Sequence, residues 1–462
     1  KEFREEFDAV NISNAEKIEI LDNEFSIKYK VLVEGPDKKY LIYKEGPEPE
    51  RPTDNWLLDV QLSNTVFKTN QTSVWLAELG LDVNFASAVE EHARFFKSVG
   101  RLNALKDIEG FSENHNKFRL GMMSVCASTD CNIDSILESL LSDLAKEKSD
   151  KMNQISKYNL SEFLWSEVEK RFSYSSDEKS INDLAIEVFN SCFNRGIDEH
   201  STLNIESIIF LRRWRDSSQH KQFFNILSKK ISSQLNIHSK LLEIDFRKLL
   251  KIDYFREIDE KIITSLIHEL TEQTSTNTNV IKWASERRVT HWYLEFESCY
   301  EAIYEAANFF EALKSIDLNM QSIDDGIKKY TSIWYKVDLH YRKYNYFLSA
   351  SSQHSLFKSV TTKIENLYSN NFLLPVNDNW QSHVQKVNEW GQWSTKIQKN
   401  FYSDWVKPFS KQDKKICVII SDALRYEVAS ELLKKLLNED KFQAEINPIK
   451  FITNIKDRKS GS

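Results

Sequence analysis

The chain has 462 residues and a net charge of −7, with 62 Lys and Arg against 69 Asp and Glu. That balance argues against a protein that binds polyanions over its whole surface and leaves room only for a local basic face. Hydrophobic residues make up 41% and charged residues 28%, and no apolar run reaches the roughly 18 residues that would span a bilayer.

The length predicts roughly two to four domains with ample core. The five cysteines (Cys126, Cys131, Cys192, Cys299, Cys417) are odd in number and form no C-x-x-C pair. This fits a reducing cytosol and gives no zinc-site spacing. The sequence opens at Lys1 without Met and without a basic-then-apolar leader, so no secretion signal is expected and the natural start is expected upstream.

Residues 1–105 predict a small N-terminal α/β domain. Ile18 and Ile20 alternate with charged residues, and Phe25, Ile27, Tyr29, Val31 and Val33 alternate again. Tyr40-Leu41-Ile42-Tyr43 and Trp56-Leu57-Leu58-Asp59-Val60 are further candidate strands. Turns are expected at Asp22-Asn23 and Gly35-Pro36-Asp37. Helices near 72–80 and 85–105 are expected to close the domain. Asp59 reads as a loop residue or cap, with a functional carboxylate as the alternative.

Residues 106–374 predict an irregular helical array. No proline occurs between Thr53 and Leu374, about 320 residues, which favours uninterrupted helices. Asn132 caps a predicted helix with apolar residues Ile133, Ile136, Leu137, Leu140, Leu141 and Leu144. Phe163, Leu164, Val168 and Phe172 repeat the spacing. Leu184, Val188, Phe189 and Cys192 do so again, with Gly196 expected just past that helix end. Ile205, Ile208, Ile209, Leu211 and Trp214 form another. Further helices are expected near 222–237, 240–250, 258–272, 285–315, 322–346 and 352–369. No repeat period emerges. Residues 375–412, with Pro375, Trp380, Trp390, Trp393, Trp405 and Pro408, read as a connector with a helix near 380–400.

Several clusters have both a functional and a structural reading. Arg212, Arg213 and Arg215 flank Trp214 and are candidate phosphate contacts, or the solvated face of a helix whose Trp is buried. Arg287 and Arg288, with His291, Trp292 and Tyr293, are a second candidate, or a polar contact between helices. Asp338 and Arg342 are spaced i, i+4 and are expected to pair on the surface. Trp334, Val337, Tyr341 and Tyr344 fit a core stripe. Helix-borne metal motifs, phosphate-binding glycine loops and the G-x-S-x-G elbow are all missing from the sequence.

The run Ile416-Cys417-Val418-Ile419-Ile420 predicts a strand buried on both faces, broken by Ser421-Asp422. Helical spacing follows in Val428, Leu432, Leu433, Leu436 and Leu437. A carboxylate thus stands where a buried strand gives way to a helix, a place where open α/β sheets bind ligands. On the residues alone, Asp422 reads as the helix N-cap or as a metal ligand. One carboxylate does not hold a divalent ion, and no His follows it.

The stretch Val418-Ile419-Ile420-Ser421-Asp422-Ala423-Leu424-Arg425-Tyr426-Glu427-Val428-Ala429 resembles the opening of the PglZ domain of BREX bacteriophage-defence systems, in the alkaline phosphatase superfamily. So do Arg4-Glu5-Glu6-Phe7, Tyr40-Leu41-Ile42-Tyr43, Asp54-Asn55-Trp56-Leu57-Leu58-Asp59, Trp75-Leu76-Ala77-Glu78-Leu79-Gly80 and Val337-Asp338-x-x-Tyr341-Arg342. The resemblance covers about 1–449. It implies that residues 413–449 begin an alkaline-phosphatase-like domain with Asp422 as first metal ligand. Ser421, Arg425 and Glu427 are candidate supporting residues. It further implies a metal-dependent phosphoester hydrolase using Zn, Mg or Mn, with a Thr, Ser or water nucleophile.

The sequence departs from the family after a possible second strand at 442–446. Residues 450–462 do not resemble the nucleophile loop, which leaves Thr453 a weak candidate. The chain is therefore expected to carry only the first strand–helix unit of the catalytic domain. It is expected to bind no metal tightly, to be inactive alone, and to act as a cytoplasmic scaffold docking other BREX proteins. DNA would be reached indirectly through the complex, and no membrane is involved. The alternatives are a helical nucleic-acid-binding module and a hydrolase active as it stands. The whole is predicted to be mostly α.

Overall fold

The computed structural model describes residues 4–9, 14–21, 23–45, 55–63, 71–198, 200–387, 398–410, 415–422, 424–439 and 444–447. It contains two compact units, Lys1–His115 and Asn116–Ser462. The protein is mostly α with a small N-terminal α/β part, as the sequence predicts.

In the first unit, strands Ala15–Ile20 and Lys39–Lys44 pair in parallel, Ala15 opposite Lys39 and Ile20 opposite Lys44. Parallel neighbours need a crossover, because a tight hairpin can join only antiparallel strands. The crossover is where the sequence reading fails. Residues 24–34 are not a strand but a helix, Glu24–Tyr29, continued by a π-helical turn, Lys30–Glu34. The alternating series also fits the i, i+4 spacing. Ile27 and Val31 pack on the core of Ile20, Leu57 and Val60, while Phe25, Tyr29 and Val33 face solvent. Asn23 caps this helix by accepting from the Ser26 amide at 3.0 Å.

The predicted strand at 56–60 is likewise a helix, Leu58–Ser63, preceded by a turn. Leu57 and Val60, three apart, are both buried, and Trp56 is exposed. Asp59 accepts an ion pair from Lys28 at 2.5 Å, which holds its carboxyl below the usual range. Asp59 is thus a link between two helices of the unit. The remaining helices include Gln71–Leu79, Ala86–Glu91, Ala93–Phe96 and Val99–Lys106, and bury Trp75, Val89, Phe95, Phe96 and Leu105.

The second unit is an all-helical array over most of its length. Asn132 caps Ile133–Ala145, accepting from the Ser135 amide at 2.8 Å. The helices Ser161–Phe172, Ile181–Asp198, Ile205–Asp216 and Lys221–Gln234 converge on Phe172, Phe189, Phe210, Trp214 and Phe224. Phe189 lies 5.3 Å from Phe224 and 5.7 Å from Phe255, ring centre to ring centre. Gly196 does not end its helix. It lies within Ile181–Asp198, and a methyl group there would come 2.6 Å from Ile252 Cδ1. Its role is close approach, which explains glycine without a left-handed backbone. With few glycines in the chain, Ser173, Gln273 and Ser352 adopt the left-handed conformation after helix ends.

The long helix Tyr293–Lys314 packs against Tyr335–Ser351 and Asn277–Glu286. The expected stripe on Tyr335–Ser351 is largely core: Trp334, Val337 and Tyr344 are buried and Tyr341 half-buried. The helix here is Leu374–Val384, which starts earlier than the one expected near 380–400 and ends at Val384; residues 388–397 lie outside the described ones.

Candidate functional site: the segment around Asp422

The run Ile416–Ile420 has no regular secondary structure and pairs with no strand among the described residues. It is not buried on two faces: Ile419 is 87% and Ile420 88% exposed. A parallel strand is held by neighbours on both sides, and the described part of the array is helical here. Residues 444–447, part of the expected second strand, are irregular, and 442 and 443 lie outside the described residues. Thr453 also falls outside them.

Ser421 and Asp422 stand exposed at the end of this run, with Asp422 in a turn. Asp422 is not the N-cap. The helix Tyr426–Asn438 has Arg425 at that position, with no side-chain cap. Four residues beyond Asp422, this helix is seated firmly. The Tyr426 hydroxyl donates to the Thr331 carbonyl at 3.0 Å, and its ring meets those of Tyr335 and Tyr330 at 5.3 and 6.2 Å. Glu431 takes Lys343 at 3.0 Å and also Arg342. Lys343 reaches back to Glu305 of Tyr293–Lys314 at 3.5 Å, where His340 Nδ1 also binds at 2.6 Å. Burial of Glu431 works against its charge, but Lys343 and Arg342 win and hold it below the usual carboxylate range.

The expected Asp338–Arg342 surface pair does not form. Arg342 turns to Glu431, and Asp338 accepts from the Tyr330 and Tyr368 hydroxyls at 2.6 and 2.7 Å. Burial and the Asp338 contact both push these two phenols up. Tyr368 stacks flat on Tyr341, 3.7 Å between centres and 5° between planes. Glu427 lies inside this contact, with no exposed surface.

Four of the five candidate arginines of the array are occupied. Arg287 has no exposed surface and donates to Asp259 from two nitrogens, at 2.7 and 3.0 Å, while a third reaches the carbonyls of Leu250 and Ile252 at 2.8 and 2.9 Å. It is a contact inside the core, and a phosphate has no access to it. Arg288 is bound to Glu301 at 2.7 Å, and His291 to Asn225 at 2.6 Å. Burial, with Arg215 nearby, pushes His291 down to about 4. Arg213 joins Asp134 at 2.9 Å and Glu138 at 2.8 Å; Arg215 joins Asp216 at 2.7 Å and also Asp253. Arg212 is exposed. Trp214 is buried, as its structural reading predicts.

The residues do not by themselves fit a resident divalent ion. Among the described residues, no three His, Cys, Asp or Glu gather in a way that could hold one. Asp422 supplies one open carboxylate, and no metal-dependent step is derived from it. No described helix is long and apolar enough to cross a membrane.

Sequence reasoning named Glu427 only as a supporting residue beside Asp422 and did not single out Glu431 or the face the two share. The apolar spacing of Leu432 and Leu437 drew attention to the opposite side, which the structure leaves about half exposed. The signal was present in Glu427 and Glu431, four apart, opposite Arg342-Lys343.

The family model described as the BREX system PglZ alkaline phosphatase-like domain matches residues 401–454, taking in the end of the segment read as a connector. The chain is 27% identical over 462 aligned positions to the alkaline phosphatase-like protein PglZ of Bacillus cereus (strain H3081.97), covering 96% of this chain and 54% of that protein. It is 25% identical over 485 positions to the alkaline phosphatase-like protein BrxZ of Escherichia coli O9:H4 (strain HS), covering 96% and 56%. The chain thus spans about half the length of the curated relatives it matches. No solved structure matches significantly. The motif around Asp422, the family match upon it and the two relatives aligned along nearly the whole chain point the same way: this chain is similar to the PglZ proteins of BREX systems.

Proposed function

We propose that this region is the docking body of a BREX PglZ protein, and that it presents Asp422 to an alkaline-phosphatase-like centre. The observation that carries the reading is the seating of the Tyr426–Asn438 helix. Its polar face is fixed to the array through Tyr426 and Glu431, while Asp422 stands open four residues before it. The apolar residues Ile419, Ile420, Leu432 and Leu437 face away from the array. A strand–helix unit held on one side and apolar on the other is suited to an α/β sheet.

In the complete centre, Asp422 is the first ligand of a divalent ion in a phosphoester hydrolase. Such an ion polarises phosphoryl oxygens and activates a nucleophile. The motif in this chain contributes one of the several carboxylate or imidazole ligands that chemistry needs. This region alone is accordingly inactive, and its own work is to dock the other BREX proteins. Two measurements test the reading. Zn or Mn titration should find no tight site in this chain that Asp422→Ala removes; phosphodiesterase turnover abolished by that change would overturn the inactive reading. Pull-down against the other proteins of the defence locus should retain at least one, and retention of none would sink the docking role.

A further inference from the structure

We propose that Glu427 is a proton-operated latch: neutral, it seats the Tyr426–Asn438 helix on the Tyr335–Ser351 helix, and ionised, it loosens that seat. The inference rests on the contact itself and stands apart from the hydrolase reading.

Glu427 is 0% exposed, and neither carboxyl oxygen has a hydrogen-bond partner among the described residues. Such enclosure is costly for a carboxylate and far less so for a carboxylic acid. Two cations come near without closing a hydrogen bond. Arg425 Nη1 stands 3.9 Å away, and Arg342 Nε stands 4.0 Å away. That Arg342 nitrogen is itself buried without an acceptor. The guanidinium is instead drawn to Glu431, one turn further along the docked helix.

The other groups packed here do not compensate. From the facing helix comes Asp338, a second carboxylate, already engaged by Tyr330 and Tyr368. The rings of Tyr330 and Tyr335 close the side around Tyr426. Lys343, Glu305, His340 and Glu431 form the neighbouring network and are engaged with one another. Burial is the largest influence on Glu427 and pushes its carboxyl up. Asp338 adds to this, and the pull of its own amide, Arg425 and Arg342 does not reverse it.

The sign follows from linkage. A carboxyl raised in the seated state takes up a proton on seating. Seating is therefore fully favoured below the ordinary glutamate range and weakens as pH rises through the raised value. The Glu431 clamp and the Tyr426 bond keep their partners throughout, so Glu427 tunes the seat. Asp422, four residues ahead, moves with the helix start.

Hydrogen exchange of the intact chain tests the latch, with mass spectrometry of peptides covering 426–438 between about pH 5 and pH 9 and rates corrected for intrinsic exchange. The Arg256–Glu272 helix serves as internal reference. Protection of 426–438 should fall with rising pH, by at most about tenfold per unit for one proton. Glu427→Gln, which mimics the neutral acid, should keep the segment protected across the range. A flat wild-type profile overturns the proposal. So does a pH-dependent loss that persists in Glu427→Gln, because that would assign it to His340 or another group.

Discussion

Replacing Arg287 by Met should destabilise the helical unit severely while leaving any polyanion affinity unchanged. The side chain is fully enclosed and holds Asp259 from two nitrogens. It also satisfies the carbonyls of Leu250 and Ile252 at the end of the turn before Arg256–Glu272. Burial opposes the Arg287 charge, but Asp259 and Tyr300 outweigh it and keep the guanidinium above its ordinary value. Burial also pushes Asp259 up. With Arg287 nitrogens at 2.7 Å and the Tyr300 hydroxyl donating at 2.5 Å, we take the pair as ionised. Met fills much of the arginine stem, so the cavity contribution is small. The loss is that of one partner in a buried ion pair, about 3–5 kcal/mol. Urea unfolding followed by far-ultraviolet dichroism measures it. The double variant Arg287→Met/Asp259→Leu should be more stable than Arg287→Met alone, since no unpaired charge remains. A cost below about 1 kcal/mol for Arg287→Met, or strictly additive penalties in the double variant, would refute the reasoning. Loss of DNA retention at unchanged stability would restore Arg287 as a phosphate contact.

Two further outcomes follow from the packing. Gly196→Ala should cost about 1–3 kcal/mol, because its methyl group would press on Ile252 inside a close helix contact, and thermal unfolding should register the loss. Glu431→Ala should cost only about 0.5–1 kcal/mol, since its partners Arg342 and Lys343 are about a third exposed; a cycle with Lys343→Ala measures the coupling as lost exchange protection of 426–438.

The sequence was most informative where a single physical rule acted alone. The proline-free interval and the spacing around Asn132, Leu164 and Leu211 predicted helices that the array contains. It misled where two periods coincide. Phe25, Ile27, Tyr29, Val31 and Val33 satisfy alternation, yet Ile27 and Val31 also satisfy i, i+4, and only the parallel pairing of Ala15–Ile20 with Lys39–Lys44 decides between them. Gly196 was misread because local sequence cannot show Ile252 approaching from more than fifty residues away. Arg287 and Arg342 were ambiguous for a related reason. A basic residue on a helix is a surface charge or a core strut depending on which carboxylate the fold brings to it, and Asp259 and Glu431 are both distant in sequence.

The segment around Asp422 combines both kinds of reading. Its β-branched run encodes a buried strand, but burial of a strand is a property of its neighbours, and the helical array supplies none among the described residues. The helix behind it has two usable faces, and the array takes the polar one. Tyr426, Glu427 and Glu431 turn inward, where Lys343 and Arg342 meet one acid well and the other poorly. A fully paired acid, like Glu431, would weaken its contact in acid rather than on a rise in pH. The structure instead leaves one enclosed carboxyl without a donor at the root of the segment that carries Asp422, so the position of that carboxylate is coupled to the protonation of Glu427.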